Sequence, residues 1–589
     1  MCGLAGILLH DGTPDGAAID ALAAALAHRG PDGSGEFSYQ DMKVVHTRLS
    51  IIDLETGDQP IQDKRGAVIV ANGEIYNYLE LRQSLGEKNF QTKSDCEPPL
   101  LLYELNGTAF TQALRGMYGI AIADPHNHHI QLARDLFGIK PLYYTEFDGG
   151  IAFASETGAL LDAGLAPRRL NPGKRQELLQ LQFTTGEETI FQDIKRVKSG
   201  QTLTLDGGHV THSLHHRALP KAGPESWSEA EALERLEEAL MDSVMVHQRA
   251  DVPYGMFLSG GVDSSVVLAC MRDLNEQPVE AFTAGFSGTS VADEREHAKT
   301  VAAAAGANFH EIEFSENNFW SLLPKIAAAM DDPAADYAIL PTYKLGQLVK
   351  DSGLKVVLSG EGGDELFAGY GRYRKQMRPW YLGGRNMRSK GVFYGLNLLR
   401  DQSMDWRDNF DRIWARESNS NRTKLQIAQA VDCADWLPHD LLIKLDRCLM
   451  AHGVEGRTPL LDKKVADVAM RLPDNFKVRG RVGKYLLRRW LDQKLPEANA
   501  FDDKKGFTVP VAEWIGRRGS DLGKLVTAQE SINEICDLTG VEKLFASLEG
   551  SHPKRSGQAA WVLLFYALWH RRHIEGIVPE GDVFEVLGG

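Results

Sequence analysis

The sequence lacks the features that mark several classes of protein. It has six cysteines in 589 residues and no CxxC pair, which argues against a disulfide framework and a structural zinc site. No apolar run approaches the roughly 20 residues of a membrane span, and the apolar start MCGLAGILLH has no basic segment before it. The net charge of −15 argues against a general nucleic-acid binder. We therefore expect a cytoplasmic protein with no membrane or nucleic-acid partner.

A chain of this length is too long for one hydrophobic core, so we expect several domains. Residues 1–205 contain short β-type runs separated by glycine turns, with few helical patterns, which favours an α+β sandwich. Residues 206–227 are rich in glycine, proline and histidine and are predicted to be a linker. Residues 228–589 begin with alternating strand and helix patterns, which predict an α/β domain with a parallel sheet, followed by a mostly helical region.

The stretch YGMFLSGGVDSSVV, residues 254–267, has the pattern of a phosphate-binding loop. Its apolar start predicts a buried strand, and a helix is predicted to open at Asp263. Adjacent glycines, Gly260 and Gly261, allow a tight turn whose amides face an anion, and the helix N-terminus adds its positive end. No lysine lies in the loop, so it is not a Walker loop. We interpret it as a pyrophosphate cradle; the alternative is a plain glycine-rich turn.

A second apolar strand, in VVLSGEGGDELF at residues 356–367, also ends in a glycine turn. Glu361, Asp364 and Glu365 follow it closely and would repel one another unless a cation joins them. Mg²⁺ carried by ATP is the natural candidate. The alternative is a solvated acidic loop.

Cys2 follows the initiator methionine, and a small second residue usually permits removal of Met1. The exposed α-amine, with a pKa of about 7.7–8.0, could then take the proton from the thiol of the same residue. Taken alone, Cys2 is better explained as a small buried residue in a first strand. Other segments supply side chains that could bind a substrate that is both an amide and an amino acid.

Arg48 can bind an α-carboxylate through its fork of donors, and Asp95 can accept from an α-ammonium. The Asn72 side chain and the Gly73 amide can stabilise a tetrahedral oxyanion. Each of these residues also has a simpler explanation, as a surface arginine, a helix cap or a hairpin turn.

Several motifs together resemble a known family. They are MCG, HRGPD at 28–32, RLSIID at 48–53, NGEIYN at 72–77, SDCE at 94–97, RDLFGIKPLYY at 134–144 and FASE at 153–156. These resemble the glutaminase domain of class II glutamine amidotransferases. SGGVDSS resembles the loop of ATP pyrophosphatases, which cleave ATP between its α and β phosphates. With SGEGGDE at 359–365, EGRTPLLD at 455–462 and GKYLLR at 483–488, the chain resembles glutamine-dependent asparagine synthetases from Met1 to about Trp514.

The resemblance implies an Ntn-type four-layer sandwich of two antiparallel sheets in residues 1–205 and an ATP pyrophosphatase-like synthetase domain in 228–589. Cys2 is implied as the nucleophile, with an oxyanion hole formed by Asn72 and Gly73. The implied glutamine-binding residues are Arg48, Leu49, Ser50, Ile51, Ile52, Asn72, Gly73, Glu74 and Asp95. A homodimer is also implied.

In the synthetase domain the resemblance implies that Glu361 acts at the acyl-adenylate step and that Lys484 stabilises developing charge. The implied ATP-binding residues are Leu258, Ser259, Gly260, Gly261, Asp263, Ser264, Ala284, Ser359 and Gly360. Asp263 and Asp364 are the candidate Mg²⁺ ligands. Residues 504–510 are similar to a subset of bacterial members, and no role follows from that similarity.

The resulting hypothesis is that Cys2 releases ammonia from glutamine and that the second domain adenylates the aspartate β-carboxylate with ATP, so that ammonia displaces AMP. An alternative keeps the chemistry but changes the acceptor to another carboxylate, in an envelope sugar or a secondary metabolite. Thr458 and Leu460 leave this open, because many members have valine and phenylalanine there. A third hypothesis is a catalytically silent homologue, which the intact motifs disfavour.

Overall fold

The structure is a computed structural model that describes residues 2–291, 293–384, 386–502 and 509–589. The predicted removal of Met1 therefore concerns a residue outside the described part, as does most of the 504–510 segment.

The N-terminal region is built on two six-stranded antiparallel sheets. In chain order the strands are β1 Gly3–Leu9, β2 Gly33–Tyr39, β3 Met42–Arg48, β4 Ile61–Gln62, β5 Val68–Ile75, β6 Gly116–Asp124, β7 His129–Arg134, β8 Tyr143–Phe147, β9 Gly150–Ala154, β10 Ile194–Arg196, β11 Gln201–Asp206 and β12 His209–His215. The first sheet has the order β10-β8-β9-β1-β3-β2, and the second has β12-β11-β7-β6-β5-β4.

Side-chain alternation along the strands produces four layers. In β1, Leu4 and Leu8 lie in the core between the two sheets, while Ala5 and Ile7 face helices on the outside. The helices on the first sheet include Gly16–Leu26, Thr157–Asp162 and Pro172–Leu181. Those on the second are Tyr78–Leu85 and Pro98–Asn106. The predicted α+β four-layer sandwich is confirmed.

The segment predicted as a linker, 206–227, contributes a strand. β12 pairs with β11 and extends the second sheet by one strand. Apart from the two-residue turn 207–208, the part of that segment without helix or strand is residues 216–227.

The C-terminal half begins with a five-stranded parallel sheet of order β15-β14-β13-β16-β17. Its strands are β13 Tyr254–Phe257, β14 Glu280–Gly285, β15 Asn308–Glu313, β16 Val356–Leu358 and β17 Glu455–Arg457. The helix Glu229–His247 precedes β13, and the helices Val262–Leu274, Arg295–Ala304, Glu316–Ala329 and Ile339–Asp351 lie between β13 and β16 in the chain. Met256 and Leu358 pack in a core on one face, and Phe282 and Val357 pack on the other. The predicted α/β arrangement is thus confirmed.

The remainder of the chain is mostly helical, as predicted. Its helices are Gly363–Leu366, Gly371–Met377, Asp408–Ser418, Lys424–Val431, the π-helix Asp432–Leu441, Leu442–Met450, Lys463–Arg471, Asp474–Lys477, Tyr485–Lys494, Val511–Arg517, Gly519–Thr527, Glu530–Asn533, Leu538–Ala546, Lys554–His573 and Val583–Gly588. Trp561 and Trp569 in the C-terminal tail are fully buried and donate hydrogen bonds to the Ala335 and Met330 carbonyls. The tail is therefore part of the folded core. Among the described residues, none of the helices has both the length and the apolar composition of a membrane span.

Candidate active sites

Cys2 lies immediately before β1 and is buried. Its backbone N–H donates to Asn72 Oδ1 at 3.1 Å, and its Sγ lies 4.0 Å from the Leu49 carbonyl. Burial raises the pKa of the Cys2 thiol, so the thiol needs a base before it can act as a nucleophile. The Asn72 side-chain nitrogen is buried and has no hydrogen-bond partner in the described part of the chain. The structure therefore places the side-chain amide of Asn72, whose nitrogen has no partner among the described residues, next to Cys2.

Gly73 follows Asn72 in β5, where the strand runs close to β6. A Cβ atom at Gly73 would lie 2.0 Å from the Met117 carbonyl oxygen, so a side chain cannot be accommodated without moving the backbone. Close backbone approach, rather than a turn, explains why this position is glycine.

The segment from Arg48 to Ile52 reaches the thiol through Leu49. The Arg48 guanidinium donates to Asp58 Oδ1 at 2.6 Å and to the Asp53 carbonyl at 2.5 Å, which fixes its position at the end of β3. Within residues 49–52, the side chains of Leu49, Ile51 and Ile52 are buried, and the Ser50 amide donates to Asp32 Oδ2.

Glu74 and Asp95 are buried carboxylates in the same region. Asp95 Oδ2 accepts from the Ile75 amide at 2.8 Å, and burial, with the negative charge of Glu455, raises the pKa of Asp95 to about 6. Burial also raises the pKa of Glu74 well above its usual range, although Arg457 lies beside it. A bound α-ammonium would favour the ionised form of both groups.

Strand β17 of the C-terminal half supplies residues to this site that the sequence reasoning missed. Arg457 Nη2 lies 3.1 Å from Glu74 Oε1, and Arg457 Nε lies 2.6 Å from Glu455 Oε1. The Arg457 backbone carbonyl accepts from the Ser359 amide at 2.8 Å, which belongs to the second glycine turn. Arg457 thus touches both candidate sites. The sequence pattern that could have indicated this role is E-x-R, two charged residues at alternate positions of a buried strand.

Other buried ion pairs also join the two halves. Arg29 Nη1 pairs with Asp446 Oδ2 of the C-terminal half at 2.8 Å, and also with Glu156 Oε1 of its own half at 2.6 Å. Arg115 Nε pairs with Asp462 Oδ2 at 2.7 Å. Sequence reasoning assigned no role to these arginines, because each partner lies more than 120 positions away in the chain.

The SGG turn connects β13 to the helix Val262–Leu274. Gly260 has a φ of 72°, in the left-handed region that favours glycine. Ser259 Oγ accepts from the Gly261 amide at 3.2 Å, and Ser264 Oγ donates to the Gly261 carbonyl at 3.1 Å. The 13-residue helix begins directly behind this turn, so its N-terminus faces the loop, which suits an anion.

The two glycine turns meet because β13 and β16 are adjacent parallel strands that end at the same edge. A Cβ at Gly360 would lie 2.7 Å from the Ser264 amide nitrogen, and a Cβ at Gly363 would lie 2.3 Å from Asp263 Oδ1. Leu258 and Ala284 are buried at the ends of β13 and β14 beside this edge. The structure therefore brings the predicted ATP residues together.

Lys484 lies between the two turns. Its Nζ forms ion pairs with Asp263 Oδ2 and, at 2.6 Å, with Asp364 Oδ1. Burial lowers the pKa of Lys484, but the two carboxylates outweigh it and hold that pKa above its usual value. The basic side chain is thus charged and held at the point where the turns converge.

The same two carboxylates fit a Mg²⁺ ion in their chemistry, because hard oxygen ligands are what this ion takes. No group of three or more histidine, cysteine, aspartate or glutamate residues among the described residues is arranged for a metal. Asp263 and Asp364 would therefore hold Mg²⁺ only together with phosphate oxygens of ATP, which is common for this ion.

Glu361 faces the same space, with Lys444 Nζ 3.9 Å from its Oε1 and 3.2 Å from Asp336 Oδ2. Burial raises the pKa of Glu361, and Lys444 partly opposes that rise. Lys444 and Asp336 are further residues that the sequence reasoning missed.

Both halves of the chain match known families. The model described as glutamine amidotransferase domain matches residues 1–216, which places the N-terminal half in that class of domain. The model described as asparagine synthase matches residues 235–571. The chain therefore belongs to the asparagine synthase family and is an enzyme of the ligase class.

Curated relatives span most of its length. Asparagine synthetase [glutamine-hydrolyzing] 1 of Bacillus subtilis is 31% identical, with 98% of this chain and 97% of the relative covered. Asparagine synthetase B of Escherichia coli is 30% identical, with 86% and 81% covered. A protein named amidase chyE of Penicillium rubens is 31% identical, with 88% and 90% covered.

Proposed function

We propose that this protein makes asparagine from aspartate, glutamine and ATP at two separate reaction centres. The observation that carries the proposal is that one chain holds both Cys2 beside Asn72 and two glycine turns that converge on Lys484. We assign the first centre to residues 1–205, the linker to 206–227 and the second centre to 228–589. The enzyme is proposed to be a cytoplasmic homodimer with small-molecule substrates and no membrane or nucleic-acid partner.

At the first centre, the α-amine of Cys2 takes the thiol proton, and the thiolate attacks the side-chain amide carbon of glutamine. The Asn72 side chain and the Gly73 amide stabilise the oxyanion. Ammonia leaves, and water hydrolyses the thioester to glutamate. Arg48 binds the α-carboxylate of glutamine, while Asp95 and Glu74 accept from its α-ammonium. The segment 49–52 encloses the substrate.

At the second centre, a β-carboxylate oxygen of aspartate attacks the α-phosphorus of ATP, and pyrophosphate leaves. The SGG turn, Ser359 and Gly360 bind the nucleotide, and Lys484 stabilises the charge that develops. Mg²⁺ held by Asp263 and Asp364 would neutralise phosphate charge. Ammonia then forms the new C–N bond, AMP leaves with the bonding electron pair, and Glu361 accepts the surplus proton.

Replacing Cys2 tests the separation of the centres. Cys2→Ala should abolish glutamine hydrolysis and leave ammonia-dependent pyrophosphate release close to the unmodified rate. Cys536→Ala, at a buried cysteine in the C-terminal tail, is the matched control and should change neither activity. Loss of both activities in Cys2→Ala would contradict the two-centre arrangement.

A second candidate function is amidation of another carboxylate. Leu460, one of the residues that departs from many members, lies against the acidic turn: a Cβ at Gly363 would be 2.9 Å from its Cδ1. Pyrophosphate release over a panel of carboxylic acids separates the two functions. If aspartate gives no release above background, asparagine synthesis is excluded.

The hypothesis of a catalytically silent homologue can be tested at the N-terminus. Retained Met1 would block the α-amine of Cys2, so the mass of the purified protein decides between a working and a silent first centre.

A further inference from the structure

Near the second centre, the buried Asp440 and the largely buried Arg388 carry polar atoms that have no hydrogen-bond partner among the described residues. Asp440 is fully buried, and neither of its carboxylate oxygens has a partner in the described part of the chain. Nε and Nη2 of Arg388, whose side chain is 13% exposed, likewise make no hydrogen bond there. Buried polar atoms in folded proteins are nearly always paired, so such atoms call for an explanation.

Asp440 lies in a π-helix, Asp432–Leu441, set between the α-helices Lys424–Val431 and Leu442–Met450. Segments of π-helix are rare and are found mostly at functional sites, because they turn side chains to positions an α-helix does not offer. Asp435, on the same segment, is fully used by the fold: it accepts from the Gly186 amide at 2.8 Å and from Asn409 Nδ2 at 2.5 Å. Asp435 thus has a structural role through its hydrogen bonds, whereas Asp440 makes no such bonds among the described residues.

Asp440 interacts electrostatically with the acidic turn and with Arg388. Lys444, one helical turn beyond Asp440, lies 3.9 Å from Glu361. The positive charges of Lys444 and Arg388 and the negative charges of Asp336 and Glu361 all act on Asp440, whose pKa is raised mainly by burial. A cationic group on a ligand would restore its ionised form.

Arg388 reaches the cluster from the segment after the helix Gly371–Met377. Its guanidinium carbon lies 4.2 Å from the centre of the Trp436 ring, which orients the planar group. Asp432, its nearest carboxylate, pairs with Arg372 at 2.8 Å and lies 3.7 Å from Arg388 Nη2. The hydrogen-bonding capacity of Arg388 is therefore not consumed by Asp432.

We propose that Arg388 and Asp440 bind the α-carboxylate and the α-ammonium of an amino-acid acceptor, whose side-chain carboxylate then faces Glu361 and Lys484. This inference rests on the proposed function and narrows its acceptor to an α-amino acid with a second carboxylate. Nε and Nη2 of an arginine form the planar fork that matches a carboxylate, and an aspartate oxygen accepts from an ammonium. Acids that lack the ammonium, such as sugar acids, would leave Asp440 buried and unpaired.

Two analogues of aspartate test each contact separately. Succinate is aspartate without the ammonium, and β-alanine is aspartate without the α-carboxylate. In the unmodified enzyme, kcat/KM for pyrophosphate release should favour aspartate over each analogue by about 100-fold or more, because each analogue leaves one polar side chain of the pocket without its partner. In Arg388→Gln, kcat/KM for aspartate should exceed kcat/KM for β-alanine by no more than about tenfold. The ratio of kcat/KM for aspartate to kcat/KM for succinate should stay at its unmodified value. Asp440→Asn should reduce the preference for aspartate over succinate to about tenfold or less and keep the preference for aspartate over β-alanine.

These ratios do not depend on how much of a variant is folded, so a partly unfolded preparation still gives an answer. Asp435→Asn is the matched control on the same π-helix and should keep both ratios. Variants of Arg388 and Asp440 that keep both unmodified ratios would overturn the pocket assignment while aspartate-dependent release still supports the proposed function. Absence of aspartate-dependent release in the unmodified enzyme would remove the function and the pocket together.

Discussion

The two reaction centres compensate their buried charges in different ways. In the N-terminal centre, Glu74 and Asp95 keep raised pKa values although Arg457 is close by. In the C-terminal centre, Asp263 and Asp364 share one lysine, and the pKa of Lys484 is raised by that pairing. The first centre is therefore short of positive charge, which the α-ammonium of glutamine would supply. The second carries its own cation before any substrate binds.

The largest effect is expected from removing that cation. Lys484→Met keeps an unbranched apolar chain of similar bulk but leaves Asp263 and Asp364 without their shared partner, so pyrophosphate release should fall about 100- to 1000-fold. Glutamine hydrolysis should stay within about twofold, because Lys484 lies in the other centre. The measurement is both rates in the same preparation.

Lys464→Met is the control for this change. Lys464 also pairs with an aspartate, Asp242 at 3.0 Å, but its side chain is 53% exposed and lies outside both centres. Its variant should keep both rates. A Lys484→Met enzyme that loses glutamine hydrolysis along with pyrophosphate release would show that the centres do not differ as described.

A smaller effect is expected at the residue that touches both centres. Arg457→Lys keeps a positive charge but loses the planar fork that contacts Glu74, Glu455 and the carbonyls of His247 and Arg249. The KM for glutamine should rise about 10- to 50-fold, with ammonia-dependent release changed by less than about threefold. Steady-state kinetics with each nitrogen donor measure the difference.

Arg115→Lys separates this positioning role from the general stability of the interface. Arg115 is buried and bridges Asp462 and Asp242 across the two halves, and within the described part of the chain its guanidinium makes no hydrogen bond or ion pair with the predicted glutamine-binding residues. Equal increases in the KM for glutamine in both variants would mean that Arg457 acts only by holding the halves together.

The fold was largely predictable because its signals are local. Alternating side chains such as Leu4 and Ala5 indicate a strand with two apolar faces, and a glycine turn between an apolar run and a helix indicates the edge of a parallel sheet. Strand β12 escaped prediction because His209–His215 is mostly exposed and polar. Backbone pairing with β11, rather than an apolar pattern, holds it in the sheet.

The candidate sites were predictable only where a motif lies on one short segment. The Cys2 region, the two glycine turns and Lys484 were found in this way. Contacts such as Arg457 with Glu74 join residues almost 400 positions apart in the sequence, and no local pattern encodes them. The unpaired state of Asp440 was equally hidden, because it depends on what surrounds the side chain rather than on its neighbours in sequence.

The smallest expected effect is a pH dependence confined to the first centre. Asp95 must be ionised to accept from the α-ammonium, and its pKa of about 6 means that it becomes protonated below that pH. The Cys2 amine, with a pKa of about 7.7–8.0, already makes kcat/KM for glutamine fall tenfold per pH unit in this range. Below about pH 6 the fall should steepen towards 100-fold per unit.

Asp95→Asn removes the ionisation of Asp95 and leaves only that of the Cys2 amine. The kcat/KM of this variant for glutamine should be lower, and it should fall about tenfold per pH unit both above and below pH 6. The raised pKa also means that the folded state binds this proton more tightly than the unfolded chain. Asp95 therefore lowers the free energy of unfolding as pH rises from 3.8 to about 6, and the asparagine variant should lack this contribution. If the unmodified enzyme kept a single slope down to pH 5, the α-ammonium would not depend on Asp95, and the first centre would not be short of positive charge.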